Sequence, residues 1–190
     1  MADPRIAVRS PVDGLLPISG PHFSLALAAP ANRFVFRGDE PARAACSDAF
    51  EVELPRALGQ AGVKDGRTAI WLGPDEWLMA AEGVDGEIIA VEIEAALGAT
   101  PHSLVDVSHR QLRLDLTGTA AARALSAGCP IDLRESRFPA GAATRTIFDR
   151  AEIVLHRVAT SAFRIEVWRS FAPYVAAALK EAARGAEFLR

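Results

Sequence analysis

Two adjacent carboxylates, Asp75 and Glu76, lie between two tryptophans in the segment WLGPDEWLM (71–79). Paired acids can act as general acid and general base when burial or neighbouring charges shift their pKa values. Successive side chains in a strand or turn point in different directions, so these two carboxylates would not converge on one substrate atom. Pro74 is typical of a β-turn. We therefore interpret both acids as the hydrated tip of a hairpin, and expect replacement of either by Ala to change stability by less than about 1 kcal/mol.

The segment VDVSH (105–109) contains the three residue types of a hydrolytic triad, namely Asp106, Ser108 and His109. If the segment is one continuous strand, Asp106 and Ser108 lie on one face and His109 lies on the opposite face. The sequence also lacks the Gly-x-Ser-x-Gly turn that exposes the serine of many hydrolases. We therefore do not expect a triad here.

The spacing of the other reactive residues indicates neither a metal site nor a nucleotide-binding loop. Zinc sites place Cys and His at short fixed spacings, and phosphate-binding loops need a Gly-rich run before a helix. Neither pattern occurs around the isolated histidines and cysteines, which are His22, His102, His109, His156, Cys46 and Cys129. In TGTAAAR (117–123) a helix start could meet an anion, but ordinary capping by Thr119 is the favoured interpretation. The patterns thus nominate no catalytic and no metal-binding residue.

The overall charge and hydropathy exclude several classes of function. The 190-residue chain has 21 basic and 24 acidic side chains, and a net charge of −3 is not typical of a nucleic-acid-binding protein. No apolar run approaches the ~20 residues of a membrane-spanning helix, and the amino-terminal residues do not resemble a signal peptide. The two isolated cysteines favour a reducing compartment. We expect a cytoplasmic protein that binds neither nucleic acid nor membrane.

The apolar periodicity predicts short strands and helices that follow an amino-terminal arm. The arm comprises residues 1–21, which are rich in Pro and Gly and lack periodicity. The predicted strands are 22–29, 33–38, the two arms of a hairpin in 67–82, 102–118, 151–158 and 162–169, and the predicted helices are 39–50, 85–98, 118–128 and 170–189.

The order of these elements repeats. The segment RFVFRGDEPARAACSDA (33–49) resembles LRLDLTGTAAARALSAG (112–128), and strands and a further helix follow each of them. Each half alone would leave an apolar sheet face exposed, and packing the halves together would bury it. We therefore predict an α+β fold in which residues 22–190 form one domain of two βαββα-like halves, about 22–100 and 101–190, with antiparallel or mixed sheets.

Six segments together resemble the gamma subunits of heterotetrameric sarcosine oxidases: WLGPDEWLM, LVDVSHRQLRLDLTG, LSAGCPIDL, FPAGAATRT, AEIVLHR and FRIEVWRSFAPYVAAAL. The resemblance runs in order from about residue 22 to residue 185. It implies an aminomethyltransferase-like fold, of the folate-binding type, and a non-catalytic role in an αβγδ complex. The chain would mainly support the alpha subunit, with the beta and delta subunits as further partners.

The same resemblance implies what the whole complex does. It would demethylate sarcosine oxidatively to glycine, release hydrogen peroxide, and pass on the one-carbon unit as methylene-tetrahydrofolate or formaldehyde. FAD, FMN, NAD and tetrahydrofolate would be bound by the alpha and beta chains, and none of them by this chain.

A more distant resemblance, to the aminomethyltransferases of the glycine-cleavage system, indicates where a pocket could lie. TIFDRAEIVLH (146–156) falls on the segment that contains the catalytic aspartate of that family. The Asp-Asp pair of the family is replaced here by Ala151 and Glu152, and its paired glycines by bulkier residues near Ile147 and Phe148. Glu152 is therefore the candidate residue of a degenerate folate pocket, and we expect no catalytic residue to remain.

Two alternatives to a subunit role stay open at this point. The chain could act alone as a folate-binding or aminomethyl-transfer protein, and Glu152 would then contribute to ligand binding. It could also be a homo-oligomer, because an apolar surface meant for a larger partner tends to self-associate in isolation.

Overall fold

The computed structural model describes residues 10–188, which form eleven strands and four α-helices. The strands are β1 Ile18–Ser19, β2 Ser24–Leu27, β3 Ala31–Gly38, β4 Gly59–Lys64, β5 Arg67–Gly73, β6 Glu76–Glu82, β7 His102–Asp106, β8 Gln111–Thr117, β9 Ala142–Phe148, β10 Ala151–Ala159 and β11 Ala162–Trp168. The helices are α1 Glu40–Phe50, α2 Gly86–Leu97, α3 Ala121–Ser126 and α4 Ala172–Phe188. Within residues 10–188, no helix is both long and apolar enough to cross a membrane.

All the described strands belong to one sheet in the order β1-β2-β8-β11-β10-β9-β4-β5-β6-β3-β7. Every neighbouring pair of named strands is antiparallel. The predicted α+β class, with strands that repeat in two halves, is confirmed.

The repeat contains one more strand per half than the sequence predicts. The elements β3-α1-β4-β5-β6-α2 recur as β8-α3-β9-β10-β11-α4, and the two sets of strands have the same order in the sheet. The extra strands are β4 and β9, which pair with each other and join the halves at Gly59↔Ala143 and Gln60↔Ala142. Small and polar residues such as those of GQAGVK (59–64) give no apolar alternation, so the sequence does not reveal these strands.

The halves also exchange their first strands. β2 is the first strand of residues 22–100 but pairs with β8 of the second half, and β7 is the first strand of residues 101–190 but pairs with β3 of the first half. Neither half therefore contains all the strands of its own part of the sheet.

The helices cover one face of the sheet, and on the opposite face the two halves meet each other. In the first half, Phe36, Phe50 and Trp77 belong to a buried apolar cluster with residues of α1 and α2. In the second half, Phe163 and Leu125 belong to a larger cluster with residues of α3 and α4. A third and smaller cluster contains residues of both halves, namely Ile70, Leu78, Val107, Ala143 and Val154.

Capping residues begin and end the helices largely as the sequence predicts. The Asp39 carboxylate accepts a hydrogen bond from the Ala42 amide at 3.0 Å at the start of α1, and Gly98 ends α2 with a positive φ of 52°. The prediction of Thr119 as the cap of α3 is wrong. Ala120 is the N-cap residue and makes no side-chain cap bond, while Thr119 Oγ1 lies 3.1 Å from His22 Nδ1.

The described part of the amino-terminal arm packs on the second half. Val12 is only 1% exposed and belongs to the cluster of the second half. Further along, β1 pairs with β2 through Ile18↔Leu25 and Ser19↔Ser24. The arm therefore supplies one edge strand of the sheet.

The prediction of one continuous strand over 102–118 is wrong. β7 ends at Asp106 and β8 begins at Gln111, and the two strands belong to different parts of the sheet. The Asp106 carboxylate accepts a hydrogen bond from the Ser108 amide at 2.8 Å, which is a local side-chain turn that competes with strand pairing.

Candidate functional site

A cavity of about 260 Å³ lies on the sheet face opposite the helices. Its apolar lining comes from both halves and includes Val35 of β3, Leu78 of β6 and Val154 of β10. The other lining residues are Leu72, Glu76, Val105, Val107, Arg110, Gln111, Arg145, Glu152 and Trp168. The cavity therefore lies at the junction of the two halves.

Glu152, the residue nominated from the sequence, lines this cavity. It lies near the start of β10, opposite Ile147 of β9, and its side chain is exposed. Its neighbour Ala151 is buried in the core on the other face, and Phe148 is buried there as well. Within residues 10–188 the Glu152 carboxylate has no hydrogen bond or ion pair, so it is a solvated group at the edge of the cavity.

Asp75 and Glu76 diverge as expected, but only Asp75 is a turn residue. Asp75 pairs with the half-exposed Arg37 at 2.8 Å. Glu76 is the first residue of β6, and its partly buried carboxylate pairs with Arg145 of β9 at 2.5 Å in the cavity lining. The interpretation of Glu76 as a hydrated tip is therefore wrong, because strand pairing carries its side chain to the cavity face and against the other half.

Two buried arginines connect the halves on this face of the sheet. Arg33 of β3 donates from Nε to Glu166 of β11 at 2.6 Å, and Arg113 of β8 donates to Glu82 of β6 at 2.7 Å. Arg33 and Arg113 lie five residues before Gly38 and Gly118 respectively, at equivalent positions of the repeat. Each arginine thus pairs with a carboxylate of the other half, and the two arginine side chains are 4% and 6% exposed.

The candidate triad residues lie at the crossover between β7 and β8 and have structural partners. The Ser108 hydroxyl accepts a hydrogen bond from the Arg33 amide at 2.9 Å. Asp106 is bonded to the Ser108 amide, and none of the described contacts joins Ser108 to the exposed His109. These three residues line a second, more open cavity of about 540 Å³ with Arg33 and Arg113. No hydrogen-bonded triad is assembled by the described part of the chain.

Burial and local partners shift the pKa values of two histidines in opposite directions. Burial, followed by the charges of Arg164 and Arg113, lowers the pKa of His156 to about 4. The Thr100 carbonyl, followed by the Glu94 carboxylate, raises the pKa of His102.

Within residues 10–188, no three His, Cys, Asp or Glu side chains converge in a way that would hold a metal ion.

Comparison with known proteins identifies the family. The family model described as "Sarcosine oxidase, gamma subunit family" matches residues 37–185. The chain belongs to the sarcosine oxidase gamma subunit family.

Two characterised members show how far the sequence likeness to this family extends. The sarcosine oxidase subunit gamma of Corynebacterium sp. (strain U-96) is 36% identical over 129 residues, which are 67% of this chain and 62% of the relative. The subunit from Arthrobacter sp. is 36% identical over 115 residues, which are 60% of this chain and 56% of the relative. The match thus spans about three fifths of the length of these curated relatives.

Solved structures support the gamma-family assignment and the fold. A chain in the structure of heterotetrameric sarcosine oxidase from Corynebacterium sp. U-96 in complex with pyrrole 2-carboxylate superimposes with a TM-score of 0.86 at 29% identity, over 94% of this chain and 95% of that chain. The glycine cleavage system aminomethyltransferase T from Bartonella henselae gives a TM-score of 0.61 at 13% identity, over 83% of this chain and 45% of that chain. The second likeness concerns the fold alone, and it confirms the predicted aminomethyltransferase-like architecture.

Sequence reasoning missed two cavity residues of this gamma-family chain, Gln111 and Trp168. Gln111 is 6% exposed, and its Oε1 atom has no hydrogen-bond partner within residues 10–188. The Trp168 ring is 41% exposed and lies 5.3 Å from the Arg110 guanidinium carbon. The alternation of apolar and polar residues along β8 and β11 was the available sequence signal, because it puts Gln111 and Trp168 on the face opposite the apolar side chains. In the sheet these two residues are directly opposite each other.

The lining of the cavity in this gamma-family chain combines apolar side chains with a few polar groups. It offers an apolar floor, one unpaired carboxylate, one amide oxygen and one indole. Nucleophilic catalysis needs a hydroxyl, thiol or amine beside a base, and no Ser, Thr, Cys, Lys or His lines this cavity. Its second carboxylate, Glu76, is held in the ion pair with Arg145.

Proposed function

We propose that this chain is the non-catalytic gamma subunit of a heterotetrameric sarcosine oxidase complex, and that it supports the alpha subunit. The observation that carries the proposal is the likeness to a chain of such a complex over 94% of this chain, at a TM-score of 0.86. A fold retained over that length fits a role in which the shape of the surface, rather than a set of catalytic groups, is the functional property.

The lining of the cavity supports the non-catalytic part of the proposal. Glu152 replaces the second acid of the aminomethyltransferase pair and is exposed to water, and the first position, Ala151, carries no acid. A general acid or base has to lie within hydrogen-bond reach of the reacting proton in an environment that suits its task. An exposed carboxylate beside an apolar floor and an ion pair does not meet that requirement.

The whole complex would oxidise sarcosine to glycine with release of hydrogen peroxide and transfer or release of the one-carbon unit. In this proposal FAD, FMN, NAD and tetrahydrofolate are bound by the other subunits, and the partners of this chain are the alpha subunit first and the beta and delta subunits second. We further propose that residues 22–190 act as one domain of two halves, about 22–100 and 101–190, behind an arm formed by residues 1–21, and that assembly takes place in the cytoplasm.

Coexpression tests the proposal directly. The chain, with an affinity tag, is produced together with the alpha, beta and delta subunits of a sarcosine oxidase and purified through its own tag. We expect a stoichiometric complex with oxidase activity, and we expect that activity to be unchanged by Glu152→Ala. Recovery of this chain alone would refute the subunit role, and loss of turnover in the Glu152→Ala complex would refute its non-catalytic character.

A second candidate function rests on the cavity itself. Glu152 and the unpartnered Gln111 Oε1 are both acceptors for N–H groups, which fits a stand-alone folate-binding or aminomethyl-transfer protein. Calorimetric titration of the purified chain with tetrahydrofolate separates the two functions. Micromolar binding that Glu152→Ala abolishes would favour the second, provided that Glu92→Ala, which removes an exposed acid of α2, leaves binding intact. Light scattering on the same sample would reveal a homo-oligomer.

A further inference from the structure

We propose that an extended segment of a partner subunit binds along the open edge of β7 and adds a strand antiparallel to it. The inference rests on the proposed subunit role and names the surface that the role uses. It is carried by the internal repeat, because the edge equivalent to β7 in the other half is already occupied by a strand.

β2 and β7 are equivalent strands by their hydrogen bonding. The Ala28 amide, just after β2, donates to the Arg113 carbonyl at 3.0 Å, and the Val107 amide, just after β7, donates to the Arg33 carbonyl at 2.8 Å. Arg33 and Arg113 are themselves equivalent residues of the repeat. Each of the two strands therefore lies at the same place beside the other half of the molecule.

The equivalence extends to individual residues and side chains. Leu25 of β2 is opposite Leu116, and Leu104 of β7 is opposite Phe36, which lies two residues before Gly38 as Leu116 lies two before Gly118. A serine precedes each leucine, at positions 24 and 103. Leu104 is thus the counterpart of Leu25.

The hydrogen-bonding groups of Leu104 point to the open edge. In an antiparallel pair, alternate residues bond to the neighbouring strand and the residues between them face the other way. Because Val107 bonds to β3, Val105 and Ser103 do so too, and the amide and carbonyl groups of Leu104 and Asp106 face outward. On β2 the same alternation directs Leu25 towards β1, where it pairs with Ile18.

Within residues 10–188 the chain supplies no counterpart of β1 for β7. β1 comes from the arm that precedes β2, whereas β7 follows α2 after only the connection 98–101. A connection of that length cannot form another strand and return. Within residues 10–188, β7 pairs only with β3, so it forms one end of the described sheet.

The edge of β7 carries only part of the protection that is common on edge strands, since Asp106 at its end is its one Asp, Glu, Lys or Arg residue. Such strands commonly carry Lys, Pro or a bulge, and HSLVD (102–106) has none of these over five consecutive regular pairs. Val105 is 49% exposed and lines the cavity. An added strand would continue the main-chain ladder, and its side chains on this face would lie beside Val105 and close the cavity from that side. Strand addition of this kind is a common mode of peptide recognition.

Hydrogen exchange tests the proposal on the complex described above. We expect the amide of Leu104 to exchange rapidly in the isolated chain and slowly in the assembled complex, while the Val105 amide is slow in both. Unchanged exchange at Leu104 on assembly would overturn the inference while leaving the subunit role intact. Slow exchange at Leu104 in the isolated chain would also overturn it, since a second copy or residues 1–9 would then occupy the edge.

A pair of variants supplies an independent test. Leu104→Pro removes the outward amide and keeps the bonds to β3, whereas Leu104→Ala removes the same side chain and keeps the amide. We expect Leu104→Pro to weaken assembly by about tenfold or more, and Leu104→Ala to weaken it far less. Thermal unfolding of both isolated variants checks that they fold, and equal assembly of the two variants would overturn the proposal. Failure of the wild-type chain to assemble at all would instead refute the subunit role.

Discussion

The Arg33 Nε atom and the Glu166 Oε2 atom meet at 2.6 Å across the junction of the two halves, with both side chains almost fully buried. Arg33 also donates from Nη1 to the Ala31 carbonyl at 2.8 Å. The pair fixes β3 of one half against β11 of the other. Burial of two charges is costly, so the pair is better understood as a device that specifies how the halves pack than as a source of net stability.

Glu166→Ala should therefore destabilise the protein strongly, by about 3–5 kcal/mol, because it leaves the Arg33 guanidinium buried without a counter-charge. Urea unfolding followed by circular dichroism measures the free energy. The double variant Arg33→Met, Glu166→Leu removes both charges and should be less destabilised than Glu166→Ala alone. Equal or greater destabilisation of the double variant would contradict this account of the pair.

The adjacent acids Asp75 and Glu76 form a natural matched pair. Asp75→Ala removes an exposed ion pair and should cost less than about 1 kcal/mol. Glu76→Ala removes a partly buried, charge-assisted bond to Arg145, with the two side chains 23% and 35% exposed, and should cost more, about 1–2 kcal/mol. Parallel urea titrations of the two variants decide the point, and indistinguishable midpoints would mean that the bond between the halves through Glu76 contributes little.

Trp77 and Trp168 differ in burial, and their replacement should differ accordingly. Trp77 is 2% exposed, and its Nε1 donates to the Pro55 carbonyl at 2.7 Å. Trp77→Ala should cost about 3–5 kcal/mol. Trp168 is 41% exposed, and Trp168→Ala should cost less than about 1 kcal/mol. Thermal and urea unfolding measure both, and a large loss of stability on Trp168→Ala would contradict the exposed position of that ring.

The stability of the protein should fall in acid partly through His156. Burial lowers its pKa to about 4 from an ordinary value of 6.5, so the unfolded chain takes up this proton at a higher pH than the folded chain does. Neutral His156 therefore contributes to the free energy of unfolding above pH 6.5. As the pH falls towards 4, that free energy decreases through His156 by on the order of 3 kcal/mol. His156→Gln should flatten the dependence of unfolding free energy on pH in that window.

His102 provides the control of opposite sign. Because its pKa is raised, its contribution is present at low pH and is lost as the pH rises through the folded-state pKa. His102→Gln should therefore lower stability by a constant amount below pH 6.5, leaving the slope of the acid decline unchanged, and should remove the loss of stability that the wild type shows as the pH rises above 6.5. Urea midpoints at several pH values between 4 and 8 compare the two variants with the wild type, and parallel curves for all three proteins would contradict both assignments.

Local pattern was sufficient to predict most of the elements. Pro74 between two apolar runs predicts the hairpin of β5 and β6, and the acids at the start of α1 together with Gly98 after α2 mark helix ends that the structure contains. These features depend on neighbours in sequence, because turns, caps and periodicity involve residues only a few positions apart.

Glu152, in contrast, was nominated through a family resemblance, and its role as a remnant of a folate pocket is still a prediction.

The sequence by itself determined the class of the fold, the repeat of two halves and the positions of most helices and strands. Only the tertiary structure decided that Glu76 faces Arg145, that Arg33 pairs with Glu166, and that each half gives its first strand to the other. The physical reason is distance along the chain, since these contacts join residues 69 and 133 positions apart. No local periodicity encodes such partners, and they are chosen when the two halves close into one sheet and bury their shared face.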